Sequence, residues 1–317
     1  MKSPTDLSVV IPTLNSEQFL ERTLAQVNAA LIHSNLKCEI IVVDDGSSDN
    51  TFQVLSRLAT KQPANVPLEG IRLARNYGQH SATLCGLSAA RGRIVATIDD
   101  DLQNDPYEII PILPLLDISK PQAIIVSYPE QRKSLLRKVG SRVVGLLVQM
   151  VFRKPAELKF SPFRVLTRPL VDQICLTSNP KPLIFGEILK SATTLRNVPG
   201  WHQNQVSEGS RYRLRPILAL VWTTIFSYSN RPLVFVTQLA LSVSVLSLIG
   251  TGVILIRSQF GSGFLPGWTS EAIMISSFAA MNFLVLAVLG LYIGQILKRL
   301  SNEKSFQVSE SVESSQQ

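Results

Sequence analysis

The sequence predicts an α/β protein whose mostly parallel sheet is flanked by helices and followed by interfacial amphipathic helices and two transmembrane helices. Three observations carry this expectation. Short apolar runs alternate with helix-spaced apolar faces over the first 130 residues. Clusters of acidic and basic residues fall where those runs end. Two long stretches, from Pro232 to Ile256 and from Ala272 to Leu297, contain no charged side chain.

Leu7 to Ile11 is a continuous apolar run stopped by Pro12, the pattern of a strand buried on both faces. Phe19 to Ile32 then places Phe19, Leu20, Leu24, Val27 and Leu31 on one helical face. Glu39 to Val43 is a second strand, followed by Asp44-Asp45-Gly46, with Gly46 supplying a positive φ. Asp49 can cap the next helix, whose apolar face includes Phe52, Leu55 and Leu58. Leu68 to Leu73 reads as a third strand, Ser81 to Ala90 as a helix, Arg93 to Ile98 as a fourth strand and Ala123 to Ser127 as a fifth. Strands alternating with helices imply a sheet covered on both faces. Ligands of such sheets bind beyond the carboxyl ends of the strands. Pro12, Asp44, Asp45 and Asp99 fall there.

After Tyr128 the character changes. Lys133 to Lys154 is an apolar stretch with bases at both ends, and Pro216 to Asn230 is uncharged and carries Trp222, Phe226 and Tyr228. Both read as helices lying in a bilayer interface. The two charge-free stretches are each long enough to cross a hydrocarbon core of roughly 30 Å. Arg211, Arg213, Arg215 and Arg231 precede the first, and Lys298, Arg299 and Lys304 follow the second. The positive-inside bias places both flanks in the cytosol and the loop from Ser258 to Ser270 outside. Met1 to Asp6 is polar and Leu7 to Ile11 is too short for a secretory h-region. The expected organisation is an α/β domain over 1–130 and its completion with interfacial helices over 131–230. A two-helix anchor over 231–300 and a disordered cytosolic tail over 301–317 follow.

Composition agrees with a membrane protein: 45% of residues are hydrophobic and 17% charged. The net charge of +8 gathers beside apolar segments, which points to an anionic membrane surface rather than to nucleic acid. The three cysteines, Cys38, Cys85 and Cys175, lack metal-site spacing and read as reduced structural thiols.

Three strings carry the chemistry. Asp99-Asp-Asp-Leu-Gln103 sets Asp99 and Asp101 one strand period apart, so both can converge on one hard cation such as Mg²⁺ or Mn²⁺. An acidic triplet can equally form a plain solvated turn. Asp44 and Asp45 stand at the ligand edge, where they can hydrogen-bond a nucleobase or ribose. Arg75, before a helix N-terminus, suits an anion. His80, in the first turn of that helix, reads as structural more readily than as catalytic.

In this order, Val9-Val-Ile-Pro-Thr-Leu-Asn15, Val43-Asp-Asp-Gly-Ser-Ser-Asp49, Arg75-Asn-Tyr-Gly-Gln79 and Asp99-Asp-Asp-Leu-Gln103 resemble family 2 glycosyltransferases of GT-A fold. The chain is most similar to the polyprenyl-phosphate branch, which includes dolichol-phosphate mannosyltransferases and bacterial undecaprenyl-phosphate glucosyl- and aminoarabinose-transferases. The resemblance implies that Pro12, Thr13, Asn15, Asp44, Asp45, Arg75 and Asp100 bind a nucleotide-sugar donor. It implies a divalent cation on Asp99, Asp101 and Gln103. Glu208-Gly-Ser-Arg-Tyr212 resembles a pre-span stretch in which Ser210, Arg211 and Tyr212 meet phosphate oxygens. A polyprenyl phosphate acceptor, a location in the inner membrane with the catalytic part in the cytoplasm, and a homo-oligomer are further implications.

The sequence departs from the resembled pattern at four places. Pro162 stands where an acid usually precedes Phe163-Arg164, Gln205 where an arginine opens the pre-span stretch, Ser16 where a glutamate follows Asn15, and Asp100 where a small residue is usual. A phosphate acceptor is already largely dianionic at neutral pH and needs no general base. Losing the acid at Pro162 is therefore tolerable for that acceptor, with Arg164 and Arg211 gathering its charge and Glu187 the substitute base otherwise. A polysaccharide synthase is the rival enzyme, although its Gln-x-x-Arg-Trp motif is absent. An inactive membrane scaffold of the same fold is the non-enzymatic rival.

Overall fold

The computed structural model describes residues 5–63, 65–101, 103–128, 158–159, 161–177, 179–180, 182–200, 268–300 and 304–314, with scattered positions between 234 and 249. The chain divides into two units. One comprises residues 1–212 with 302–317, and the other residues 213–301.

The first unit is an eight-stranded sheet in the order β7-β5-β6-β4-β1-β2-β3-β8. Its first half follows the expected alternation: β1 (Leu7–Thr13), α1 (Leu20–Ile32), β2 (Cys38–Asp44), α2 (Thr51–Lys61), β3 (Leu68–Leu73), α3 (Gln79–Ala89) and β4 (Ile94–Thr97). A short helix α4 (Ile109–Ile112) and β5 (Gln122–Ser127) come next. Then follow β6 (Arg164–Thr167), α5 (Arg168–Cys175), α6 (Ile184–Ser191), β7 (Thr194–Pro199) and, after the second unit, β8 (Val308–Glu313).

Parallel pairing joins β1 to β2 and β4, β2 to β3, and β5 to β7. Antiparallel pairing is confined to β6, which runs against β4 and β5, and to β8 against β3.

Side-chain alternation along the central strands builds a core on each face. Val9, Ile11, Ile40 and Val42 pack with Leu24 and Val27 of α1 and Leu55 of α2. Val10, Ile41 and Val43 pack with Leu84 and Leu87 of α3 and Leu170 and Ile174 of α5. Each fully buried aliphatic side chain of this kind contributes about 1.5–3 kcal/mol. Helix α3 lies especially close to the sheet, because a Cβ on Gly86 would stand 2.3 Å from Val10 Cγ1.

Strands β1, β2 and β3 wind outward through α1 and α2 on one face, whereas α3 returns across the other face to β4. The crevice beyond the carboxyl ends of β1 and β4 is thus a topological switch point, where sheets of this type bind ligands.

One expectation is corrected. The Ser- and Glu-rich tail, read as disordered, supplies β8: Gly70 pairs with Val312 and Ile71 with Ser311. Phe306 packs against the second core cluster, and Ser305 Oγ donates to the Asn179 carbonyl at 2.8 Å. The strand looks polar because it is an edge, with Val308, Ser309, Glu310 and Ser311 exposed.

In the second unit, helix α7 runs from Trp268 to Leu300, 33 residues, or about 50 Å at 1.5 Å per residue. The described residues between 234 and 249 are helical. Apolar side chains on both segments are exposed, among them Leu246 at 68%, Ile275 at 69% and Phe283 at 71%. Among the described residues no helix is long and apolar enough to cross a membrane. The charge-free run from Ala272 to Leu297 lies within α7, whose side chains are described only at intervals. The interfacial helices expected over 133–154 and 216–230 lie outside the described residues, as do Gln205, Ser210, Arg211 and Tyr212.

Candidate active site

Three turns at one edge of the sheet are tied into a single frame. After β1, Asn15 adopts φ 53°, and its backbone N–H donates to Ser47 Oγ at 2.8 Å. Asn15 Oδ1 accepts from the Ser48 N–H at 2.9 Å, and Thr51 Oγ1 accepts from the Ser16 N–H at 2.7 Å. Asp49, expected as the helix cap, stands one residue before the N-cap Asn50, which makes no side-chain cap bond; Asp49 instead accepts from the Thr51 N–H at 3.0 Å. The turn after β2 needs Gly46, at φ +68°, because a Cβ there would also stand 2.5 Å from the carbonyl carbon of Arg75.

Asp44 and Asp45 divide the work at the end of β2. Both are buried. Asp44 Oδ1 accepts from the Ser47 N–H at 2.9 Å and from its hydroxyl. Its Oδ2 has no hydrogen-bond partner, and the Arg72 Nε stands 3.6 Å away. Asp45 reaches across to the third string, accepting from the N–H groups of Tyr77 and Gly78 at 2.8 Å each. Burial raises the Asp45 pKa, an effect that these two hydrogen bonds oppose. Arg75 is exposed with its guanidinium 4.8 Å from the centre of the Tyr77 ring. A nearby base the sequence reading passed over is Arg72, whose guanidinium also lies 5.4 Å from the Phe52 ring and 3.8 Å from Glu310 of β8. Only the register of β8 on β3 reveals that connection.

After β4, the three acids of the triplet take different partners. The half-buried Asp99 accepts from Gln79 Nε2 at 2.6 Å. Asp101 is exposed and accepts from the Gln103 N–H at 3.1 Å. Asp100 points into the β1 turn, accepting from the hydroxyls of Thr13 and Ser16. Asp99 is pushed up to about 7, first by burial and then by the Asp101 and Asp100 charges, with Arg164 and Gln79 opposing.

Pro12, Gln79, His80, Thr97, Asp99, Pro162 and Arg164 line one small pocket in the crevice. Arg164 reaches it from β6, opposite Thr97 in the ladder. Its Nε donates to the Ser161 carbonyl at 2.8 Å, and Thr97 Oγ1 donates to the Pro162 carbonyl at 2.7 Å. Burial pushes Arg164 down to about 10 while Asp99 opposes, which leaves it a cation at neutral pH. His80 is pushed down to about 4 by burial and by Arg164, so its imidazole is neutral there. The sequence assigned His80 a structural place; the fold sets it on the pocket wall. Glu187, on α6, does not line the pocket and stands 3.8 Å from Lys190.

Among the described residues no three His, Cys, Asp or Glu side chains group around a common point. The crowding of Asp99 and Asp101 nonetheless suits a hard cation, since two carboxylates held this close repel unless a positive charge compensates. A divalent ion there would complete its shell with diphosphate oxygens and water.

Comparisons with known proteins fit this frame. A family model described as "Glycosyl transferase family 2" matches residues 8–170. Undecaprenyl-phosphate 4-deoxy-4-formamido-L-arabinose transferase from Salmonella paratyphi A is 28% identical over 299 residues, covering 92% of this chain and 88% of that protein. The protein of the same name from Klebsiella pneumoniae is 28% identical over 298 residues with the same coverage. Among solved structures, glucosyl-3-phosphoglycerate synthase from Mycobacterium tuberculosis in complex with uridine diphosphate is 18% identical. It covers 72% of this chain and 80% of that one, at a TM-score of 0.48.

Proposed function

The chain belongs to glycosyl transferase family 2, and from that premise we propose that this glycosyltransferase moves a sugar from a nucleotide-sugar donor to a polyprenyl phosphate at the cytosolic face of the inner membrane. The observation that carries the acceptor assignment is the pocket wall itself. Arg164 is a buried cation there, and Pro162, which stands where the resembled family usually carries an acid, lines the same pocket. A hydroxyl acceptor needs a base to take its proton. A phosphate monoester arrives as an anion, so it needs a cation to gather it and no base. The names of the relatives, which specify undecaprenyl phosphate, support the same class.

The donor side rests on the turns. Asp44 and Asp45, with Pro12, Thr13 and Asn15, form the frame for the nucleoside, and the exposed Arg75 faces the donor's negative charge. A divalent cation, Mg²⁺ or Mn²⁺, held by Asp99 and Asp101 with Gln103 beside them, would neutralise the departing diphosphate. In the reaction, a phosphate oxygen of the acceptor forms a bond to the anomeric carbon. The bond from that carbon to the diphosphate breaks, and the nucleoside diphosphate leaves with the electron pair. One displacement inverts the configuration. Arg164 orients the attacking phosphate, and Gln79 holds Asp99 in place. By the resemblance of Glu208-Gly-Ser-Arg-Tyr212 to a pre-span phosphate stretch, Ser210, Arg211 and Tyr212 are assigned further contacts to the acceptor phosphate. Two spans, Pro232–Ile256 and Ala272–Leu297, anchor the catalytic unit, an assignment supported by their charge-free sequence and by the apolar surface of α7.

The test pairs Asp101→Ala with chelation. Both are expected to lower the transfer rate at least about 100-fold, the scale of losing electrostatic stabilisation of a leaving group. An Asp101→Ala enzyme that keeps normal turnover and a normal metal requirement would refute the site.

A further inference from the structure

The middle carboxylate of the acidic triplet does different work from its neighbours. Past the end of β4 at Thr97, Asp99 accepts from Gln79 and Asp101 from the Gln103 N–H, whereas Asp100 turns to the β1 turn. Its Oδ2 accepts from both the Thr13 and Ser16 hydroxyls, and its carbonyl accepts from Thr23 Oγ1 of α1 at 2.9 Å. Thr13, Ser16 and Thr23 are all buried, with 3%, 7% and 2% exposure. The Ser16 N–H is bonded on its other side to Thr51, and Asn15 to Ser47. Asp100 is therefore the link through which the turn after β4 grips the turn after β1, while the turn after β2 grips it from the far side.

We propose that Asp100 is a positioning residue for the donor, acting through Thr13 and Ser16 to hold the β1 turn in its nucleotide-binding shape. The inference rests on the donor site described above. Two of the four departures noted in the sequence, Ser16 and Asp100, meet in this contact. A carboxylate at position 16 with a small residue at 100 would fill the same gap from the opposite side. A glutamate at 16 extends two carbons beyond the serine, into the volume an alanine at 100 would vacate, and its oxygens can accept from Thr13.

The test measures binding of uridine diphosphate with Mn²⁺ to the full-length chain in detergent. The proteins compared are the parent, Asp100→Asn, Asp100→Ala and the double variant Ser16→Glu/Asp100→Ala, with a melting curve for each. Asp100→Ala is expected to weaken binding about 10- to 100-fold, the scale of removing hydrogen bonds to a charged group. Asp100→Asn keeps one acceptor oxygen and should fall between alanine and the parent. The double variant should return to within about threefold of the parent. In turnover, Asp100→Ala should raise the donor KM more than it lowers kcat at saturating donor, which a general loss of folding would not do. Parent-like binding by a folded Asp100→Ala protein overturns the inference. So does a folded double variant that binds no better than Asp100→Ala. A parent protein that binds no nucleotide overturns the donor-site reading on which the inference depends, and the two failures are distinct.

Discussion

Asp45→Asn isolates the pin between the second and third strings. The parent carboxylate accepts two backbone N–H groups, from Tyr77 and Gly78, at 2.8 Å each. An asparagine of the same shape offers one carbonyl oxygen, and its NH₂ then faces a second donor. A hydrogen bond to a charged group contributes about 1.5–3 kcal/mol. Burial raises the Asp45 pKa, so removing the charge returns part of that cost. A net loss of about 2 kcal/mol follows from one such bond less that relief. Shared between folding and donor binding, it limits the rise in donor KM to about 30-fold. The pin matters to chemistry because Gly78, at φ 94°, leads directly into Gln79, whose amide holds Asp99. The assay is a donor titration at saturating acceptor beside a thermal melt. Asp45→Ala leaves both N–H groups without a partner and should exceed the asparagine variant in both readouts. Donor KM within twofold of the parent for both variants, with unchanged Tm, would refute the reasoning.

Three further outcomes are expected. Because Asp99 is raised to about 7 without a cation, the proton and the metal compete for it. Its protonated form dominates below that pH, so at limiting Mn²⁺ the transfer rate should fall as pH drops from 8 to 6, and excess metal should restore it. Gly86→Ala places a Cβ 2.3 Å from Val10 Cγ1 and should cost about 1–3 kcal/mol by overpacking, read from denaturant unfolding of the solubilised chain. Ending the chain after Lys304 removes β8, leaves β3 as a bare edge and uncovers the core beside Phe306. That truncation should lower Tm and promote aggregation, whereas removing only residues 315–317 should change neither.

The parts of the fold legible in sequence are those whose signal is local. Strands β1 and β2 are uninterrupted apolar runs because they are buried throughout. The turn residues that follow them announce the ligand edge. Strand β6 is only four residues long, and it earns its place by pairing with β4 and β5 rather than by its own pattern. Strand β7 is half exposed, and Thr194 to Pro199 contains no continuous apolar run to mark it. Strand β8 carries the composition of a solvated tail, and its burden is borne by backbone pairing with a strand about 240 residues earlier.

The site divides in the same way. Asp99 and Asp101 share a chain-local motif, so the acidic turn at the end of β4 is legible in the sequence. The turn of Asp100 toward Thr13 and Ser16 is not, because its partners lie 87 and 84 residues away. The place of His80 on the pocket wall is not legible for a related reason: its pocket neighbour Arg164 arrives from an antiparallel strand that the sequence does not disclose.

Sugar transfer to a lipid phosphate is tested most directly with the full-length chain in detergent, undecaprenyl phosphate, Mn²⁺ and a panel of radiolabelled nucleotide sugars. The account predicts that one donor yields an organic-soluble lipid carrying a single sugar, with inverted anomeric configuration and one nucleoside diphosphate released per transfer. A water-soluble polymer as the product, or no lipid product from any donor, would contradict it.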